Sequence, residues 1–215
     1  MSSANDILNS LSGYDNIQDQ KLRSIAQQAK TLTAQEIRRV LDYVATRKHS
    51  ERNRAMLLTM FYAGLRVKEC AALRYEDVLD AEGKIKQEIR LTPEQTKGSK
   101  AGTVFVSEKL RKELQAYVNS IPARAPEAAF FYTQKHPRRG FTPNTLTQLF
   151  FNLYRGAGIE GASSHSGRRT YATTMASKGV GVRVLMRALG HRNISTTMQY
   201  VDASDDMIRR AVELI

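Results

Sequence analysis

The hydrophobic positions along the chain recur mostly at helical intervals, and polar residues that open or close helices punctuate them. Thr33 and Glu36 form a capping-box pattern, and Ile37, Leu41 and Val44 follow at helical spacing, which predicts a first helix. A second helix starts near Ser50, buries Met56, Leu57, Met60 and Phe61, and stops at Gly64, where glycine can take a positive φ. A third, short helix begins around Arg66 and carries Glu69, Ala72 and Leu73. The period then changes. Ile85, Gln87, Ile89 and Leu91 alternate by type, as in a strand with one buried face, and the run 96–102 reads as a turn into a returning strand over Thr103 to Val106.

Helical spacing resumes with Leu110, Leu114 and Tyr117/Val118 behind Ser107. Thr142-Pro143 opens the next helix, with proline at its first position and Leu146, Leu149, Phe150 and Leu153 on its inner face. Two further helices cover roughly 167–178 and 181–189, separated by Gly179. From Asp205 onward Ile208, Ala211, Val212 and Ile215 form one apolar stripe, an amphipathic helix at the end of the chain. Residues 1–32 are rich in Ser, Asn, Gln and Asp; Ile17, Leu22 and Ile25 make only a thin stripe, so this stretch reads as an arm or linker. The expected fold class is α+β: a single, mostly α-helical domain over 33–204 with a small antiparallel β-sheet.

Composition narrows the function. The 215 residues hold 33 Lys and Arg against 21 Asp and Glu, a net charge of +12, and the pI is near 10.0. Such a balance points to a polyanionic partner, here nucleic acid. The single cysteine, Cys70, excludes an intramolecular disulfide framework and a multi-cysteine zinc site. No apolar run reaches the ~18 to 20 residues that span a bilayer, and the N-terminus lacks a signal-peptide pattern. A cytoplasmic protein, with no membrane partner, is expected.

Three separated segments carry chemistry. Ala63-Gly-Leu-Arg-Val-Lys-Glu places Arg66 just past a glycine, with Glu69 one turn on. Ser163-Ser-His-Ser-Gly-Arg-Arg-Thr-Tyr-Ala sets His165 and Arg168 three residues apart, a spacing that puts both on one helix face. Ala188-Leu-Gly-His-Arg-Asn-Ile-Ser-Thr-Thr-Met-Gln-Tyr has His191 after a glycine and Tyr200 nine residues later. Taken singly, each has an ordinary structural explanation: a capping arginine, a chance His-x-x-Arg pair, a packed tyrosine. Together they suit phosphoryl transfer without a metal. Two guanidinium forks can offset charge building on a phosphodiester, histidine can move a proton, and tyrosine becomes a nucleophile beside a base and a cationic pocket. No carboxylate cluster of the two-metal kind accompanies them.

The three segments, in this order and spacing, resemble the three boxes of the tyrosine recombinase, or phage integrase, family, and the resemblance covers about residues 33–204. It implies that fold and site-specific DNA strand exchange through a 3′-phosphotyrosyl intermediate, with no metal, ATP or other cofactor. Tyr200 would be the nucleophile, Arg66 and Arg168 the phosphate clamp, and His165 the proton-transfer group. His191 would hold a phosphate oxygen or buttress the site, and Glu69 would support Arg66. A β-hairpin lysine would protonate the leaving 5′-oxygen: Lys97 by its place before the Gly-Ser turn, with Lys100 as the alternative. Lys100, Arg138, Arg139 and Arg192 are further candidates for DNA contact, although a charge cluster is often a solvated face. Binding through phosphates makes affinity strongly salt-dependent.

Two positions depart from the family pattern. Gly167 replaces the usual leucine before the arginine, and Arg169 the usual histidine after it; both variations occur among phage-type members. Typical members also carry an N-terminal helical DNA-binding domain, for which the residues before Thr33 are too few. The chain is therefore expected to be a catalytic domain by itself or a minimal member like the fimbrial phase-variation recombinases, and the Met1 start favours the latter. The expected partners are double-stranded DNA with a specific site, other copies in a tetramer on two sites, and DNA-bending accessory proteins. The setting would be the bacterial nucleoid or the host of a phage, plasmid or other mobile element. The tail from Asp205 suits exchange between subunits or packing on its own domain. Two alternatives share these features: relaxation by a related type IB topoisomerase, and a non-catalytic DNA-binding accessory protein.

Overall fold

The computed structural model describes residues 29–96, 100–133, 139–201, 208–209 and 212–213. Ile17, Leu22 and Ile25 of the arm, Lys97, Arg138, and Ala211 and Ile215 of the terminal stripe lie outside the described residues. Nine helices and one hairpin follow in order among the described residues. They are α1 (Ala34–Ala45), α2 (Ser50–Ala63), α3 (Val67–Ala72), α4 (Tyr75–Val78), β1 (Glu88–Leu91), β2 (Gly102–Phe105), α5 (Glu108–Asn119), α6 (Pro143–Gly156), α7 (Ser166–Ser177), α8 (Val182–Leu189) and α9 (Ile194–Met198). Residues 208–209 and 212 are also helical. This is the expected α+β class, mostly helix with a two-stranded antiparallel sheet.

Local sequence explains most of the boundaries. The Thr33 hydroxyl accepts the Glu36 N–H, and the Glu36 carboxylate accepts the Thr33 N–H, closing the capping box that starts α1. Ser107 and Thr142 cap α5 and α6 in the same sense, Thr142 ahead of Pro143 at the first helical position. Gly64 ends α2 with φ 62°, a left-handed conformation that costs glycine little. A Cβ at this position would also overlap the Tyr171 ring.

The main departure from the sequence pattern is in the sheet. Ile85 is buried, as the alternation predicts, but it forms an isolated bridge with Leu79 instead of extending β1. The hairpin pairs Glu88 with Phe105 through Leu91 with Gly102, and one further backbone bond, from Val106 N–H to Gln87 O at 2.8 Å, extends it. The short helix α4 was not expected. Its four residues are too few to show a period, and it is fixed by tertiary contacts: the Tyr75 N–H donates to Ala128 O at 3.1 Å and the Glu76 N–H to Pro126 O at 2.8 Å.

Helix α2 is the central post. Ten of its fourteen residues are buried, including Arg52, Asn53 and Thr59 beyond the expected apolar face, because it packs against α1, α5 and α7. Its contact with α7 is close. A Cβ on Gly167 would lie 2.6 Å from Met60 Cβ, which gives a packing reason for glycine before Arg168. The main core gathers side chains from α1 to α6 and the hairpin. A second, smaller cluster of Ala172, Ala176, Leu185 and Leu189 joins α7 to α8, with Tyr171, Met175, Tyr200 and Val201 packed on it.

Candidate active site

Arg66 enters the site from the turn that Gly64 creates. It is the N-cap residue of α3, and Glu69, one turn later, grips it twice. The Arg66 N–H donates to Glu69 Oε2 at 2.7 Å, and its Nη1 donates to Glu69 Oε1 at 2.8 Å. Glu69 is buried while the Arg66 side chain keeps 26% of its surface open, so the carboxylate is spent on orientation and the guanidinium still faces solvent.

Arg168 is buried in the first turn of α7 and reaches across to two other elements. Its Nη1 donates to Gly64 O at 2.6 Å and its Nη2 to Leu189 O. The two carbonyls end α2 and α8, so each is free of a helical partner and can accept. Burial first, and then the neighbouring Arg66 charge, pull the Arg168 guanidinium down to about 10; Glu69 and Tyr200 oppose the shift. Arg168 therefore stays charged at neutral pH. Two like charges held this close form a site that an anion would relieve.

His191 follows Gly190, which closes α8 in a left-handed turn. Arg168 Nη2 lies 3.2 Å from His191 Nε2, and His191 Nδ1 lies 3.0 Å from Thr197 Oγ1. A guanidinium has no acceptor, so Nε2 accepts, and the ring proton sits on Nδ1 and points to the fully buried Thr197. Burial, then Arg168 and Arg66, bring the His191 imidazole down to about 4, which leaves it neutral at physiological pH.

Tyr200, half-buried two residues past the end of α9, does not line the cleft that Arg66, Arg168 and His191 share, but its ring is stacked on His191 with centroids 6.1 Å apart and an interplanar angle of 23°. The Arg169 guanidinium lies over the same tyrosine, 5.7 Å from its centroid. Arg66, Arg168 and His191 line a cleft of about 620 Å³, and Lys100 and Arg192 share its wall. His165 does not join them. It is the exposed N-cap of α7, so its spacing from the buried Arg168 does not place both in the cleft. Arg139 is exposed and does not line the cleft. Lys97 and Arg138 fall outside the described residues.

Chain position 97 follows an anchored stem. Lys68 Nζ donates to Thr96 O at 2.8 Å, Thr96 Oγ1 lies 2.6 Å from Lys100 O, and Gln95 Nε2 reaches Ala72 O at 3.0 Å. Sequence reasoning missed Arg183 and Arg187, which line the cleft from α8; their i, i+4 spacing was the available signal. It also missed Thr197 and the Gly64 and Leu189 carbonyls, which carry no mark in a sequence. Among the described residues, no group of three or more His, Cys, Asp or Glu side chains is arranged to hold a metal ion, and no helix is long and apolar enough to cross a membrane.

Comparison with known proteins places the chain. The model of the phage integrase family matches residues 30–207, and the chain belongs to that family. The tyrosine recombinase XerA of Thermococcus kodakarensis is 31% identical over 187 residues, covering 86% of this chain and 62% of that protein. XerA of Pyrococcus furiosus is 28% identical, covering 86% and 61%. Transposase A from transposon Tn554 of Staphylococcus aureus is 28% identical, covering 86% and 52%. The chain thus spans little more than half to three-fifths of these relatives' length. The fold is shared with the crystal structure of XerA recombinase, with a TM-score of 0.68 and 24% identity over 87% of this chain and 65% of that one. It is shared also with the catalytic domain of bacteriophage HP1 integrase, with a TM-score of 0.62 and 22% identity over 86% and 95%. The Tn1549 transposon integrase, solved with a circular intermediate DNA, has a TM-score of 0.67 at 19% identity over 88% and 67%.

Proposed function

We propose that this chain performs the strand cleavage and rejoining of a site-specific DNA recombinase, with residues 33–204 as its catalytic domain and 1–32 as an arm. The observation that carries the reading is the convergence of Arg66, Arg168 and His191 on one cleft, with Tyr200 stacked on His191. A DNA phosphate seated between the two guanidiniums would neutralise charges that now oppose each other. Tyr200 Oη then attacks phosphorus and the bond to the 5′-oxygen breaks. The phenol proton passes to His165, which stands outside the cleft lining at the N-cap of α7, one turn before the Arg169 that covers the Tyr200 ring. The leaving oxygen takes a proton from Lys97, or from Lys100. A 3′-phosphotyrosyl link and a 5′-hydroxyl result. The link conserves the phosphoester, so a 5′-hydroxyl of another strand can reverse the step without an external energy source.

Neutral His191 serves in this scheme as a buttress: it receives an Arg168 N–H and fixes the guanidinium, itself oriented by Thr197. Lys100 and Arg192 on the cleft wall suit contacts to flanking phosphates, and Arg138 and Arg139 would extend them. Assembly as a tetramer on two DNA sites, DNA-bending partners, a cytoplasmic location and a mobile-element setting complete the proposal. The relatives support it, since they include recombinases, a transposase and a transposon integrase solved with DNA.

The test is a nicked suicide substrate from the flanking genomic DNA, incubated in EDTA with wild type and with Tyr200→Phe. Wild type should accumulate a covalent protein–DNA adduct and Tyr200→Phe none. An adduct of equal yield from both would overturn the assignment of Tyr200. Absence of any adduct on DNA that the protein binds, with candidate partners added, would favour a non-catalytic accessory role.

A further inference from the structure

Arg169 stands where three parts of the molecule meet, and the reaction scheme above does not use it. It follows Arg168 in α7 and is rotated about 100° from it around the helix axis, so the two consecutive arginines face different surroundings. Arg168 points into the buried cleft wall. The Arg169 guanidinium lies over the Tyr200 ring, and its Nε donates to Thr31 Oγ1 at 3.2 Å. Thr31 belongs to a segment laid along the head of α7. The Lys30 N–H donates to Gly161 O at 3.3 Å, and the N–H of buried Leu32 donates to Thr170 Oγ1 at 2.9 Å. Thr170, buried in α7, in turn donates to Ser166 O at 2.7 Å. The segment entering the domain is therefore pinned on both sides of Thr31, and Thr31 fixes the direction of the Arg169 fork.

We infer that Arg169 is a positioning residue for the Tyr200 nucleophile: its guanidinium holds the tyrosine ring against His191, and Thr31 of the entering segment holds the guanidinium. The physical basis is attraction between a cation and an aromatic face. Among the described residues, few other restraints act on this tyrosine. Its ring is half-buried, it sits on the smaller of the two apolar clusters, and a short helix carries it. Arg169 thereby links the chain entering the domain to the reacting side chain, which neither His191 nor Arg168 does.

This inference rests on the recombinase reading, and its test separates the two. Variants Arg169→Gln, Arg169→Lys and Thr31→Val are compared with wild type in two measurements. The first is the single-turnover rate of adduct formation at saturating suicide substrate, read beside the DNA dissociation constant. The second is the ¹⁹F resonance of 3-fluorotyrosine placed at position 200 in the DNA-free protein. Loss of one cation–π contact at a partly exposed site corresponds to roughly a three- to tenfold effect. Arg169→Gln should therefore slow adduct formation about three- to tenfold with DNA affinity within about twofold. It should also shift or broaden the fluorine signal. Arg169→Lys should recover most of both, and Thr31→Val should fall between. An unchanged rate and signal in Arg169→Gln would overturn the inference, and so would weakened DNA binding with an unchanged saturating rate, which makes Arg169 a phosphate contact. If wild type itself forms no adduct, the recombinase reading fails while the fluorine signal still reports whether Arg169 holds Tyr200.

Discussion

His191 shows how an ordinary histidine is given a fixed tautomer by its neighbours. Arg168, which can only donate, occupies Nε2, and Thr197 takes the proton on Nδ1. The folded chain holds this imidazole at about 4 against an ordinary 6.5, so it disfavours the protonated form that the unfolded chain accepts. The His191 share of stability is therefore complete above pH 6.5 and is lost as pH falls toward about 4. Carboxylates titrate in the same window, so the comparison is with His191→Asn, whose urea-unfolding stability should change less between those two pH values. Ring carbon shifts of His191 should remain those of a neutral imidazole down to about pH 4. They should titrate at higher pH once vanadate occupies the site, because an anion offsets the Arg168 and Arg66 charges; an unmoved titration would mean the anion sits elsewhere. At this scale the sequence revealed identities well. Glycine before Arg66, the two arginines, and the His191 to Tyr200 spacing were all legible. What holds Arg168 was not, because Gly64 and Leu189 lie 104 and 21 residues away and contribute only backbone oxygen.

Helices whose ends are written in side chains were legible as elements. The Thr33/Glu36 box, Ser107 and Thr142-Pro143 each satisfy a helix start through a local contact, and Gly64 ends α2 through its own left-handed backbone; such local features are what a sequence displays. The hairpin was read too long. Alternation reports which face is buried but not which neighbour supplies the hydrogen bonds, and Ile85 finds Leu79 while β2 has already turned toward α5. Gly167 belongs to this scale as well. From the sequence it is only a departure from leucine; in the fold it is where α7 crosses α2 with Met60 Cβ 2.6 Å from the added carbon. Gly167→Leu should therefore destabilise the protein by about 1–3 kcal/mol, the usual cost of overpacking, measured by urea denaturation. Arg168 sits on the next residue, so adduct formation should fall as well. A leucine variant as stable as wild type would show that α7 can move away from α2 at little cost.

For the whole molecule, the positive charge and the open cleft describe one surface, while the tail describes another. Ile208 and Val212, one helical turn apart, leave 56% and 62% of their surfaces open. Side chains of this kind suit a partner, and the sequence suits the tail from Asp205 either to exchange between subunits or to packing on its own domain. Removal of the residues after Asp205 should leave the unfolding midpoint within a few degrees of the full chain. It should also reduce the size of complexes on DNA measured by gel filtration; unchanged complexes would assign the tail to its own domain. The larger design lies in the two apolar clusters. The main one spans α1 to α6 and sets the fold, whereas the small cluster of Ala172, Ala176, Leu185 and Leu189 underlies the segment that ends at Tyr200. A small cluster opens at lower free energy than a large one, so in hydrogen-exchange measurements the amide protons of α8 and α9 should exchange through local openings and those of α2 only on global unfolding. The proposed nucleophile is thus mounted on the smaller of the two clusters, and changes that loosen Leu185 or Leu189 should reach adduct formation before they reach the fold.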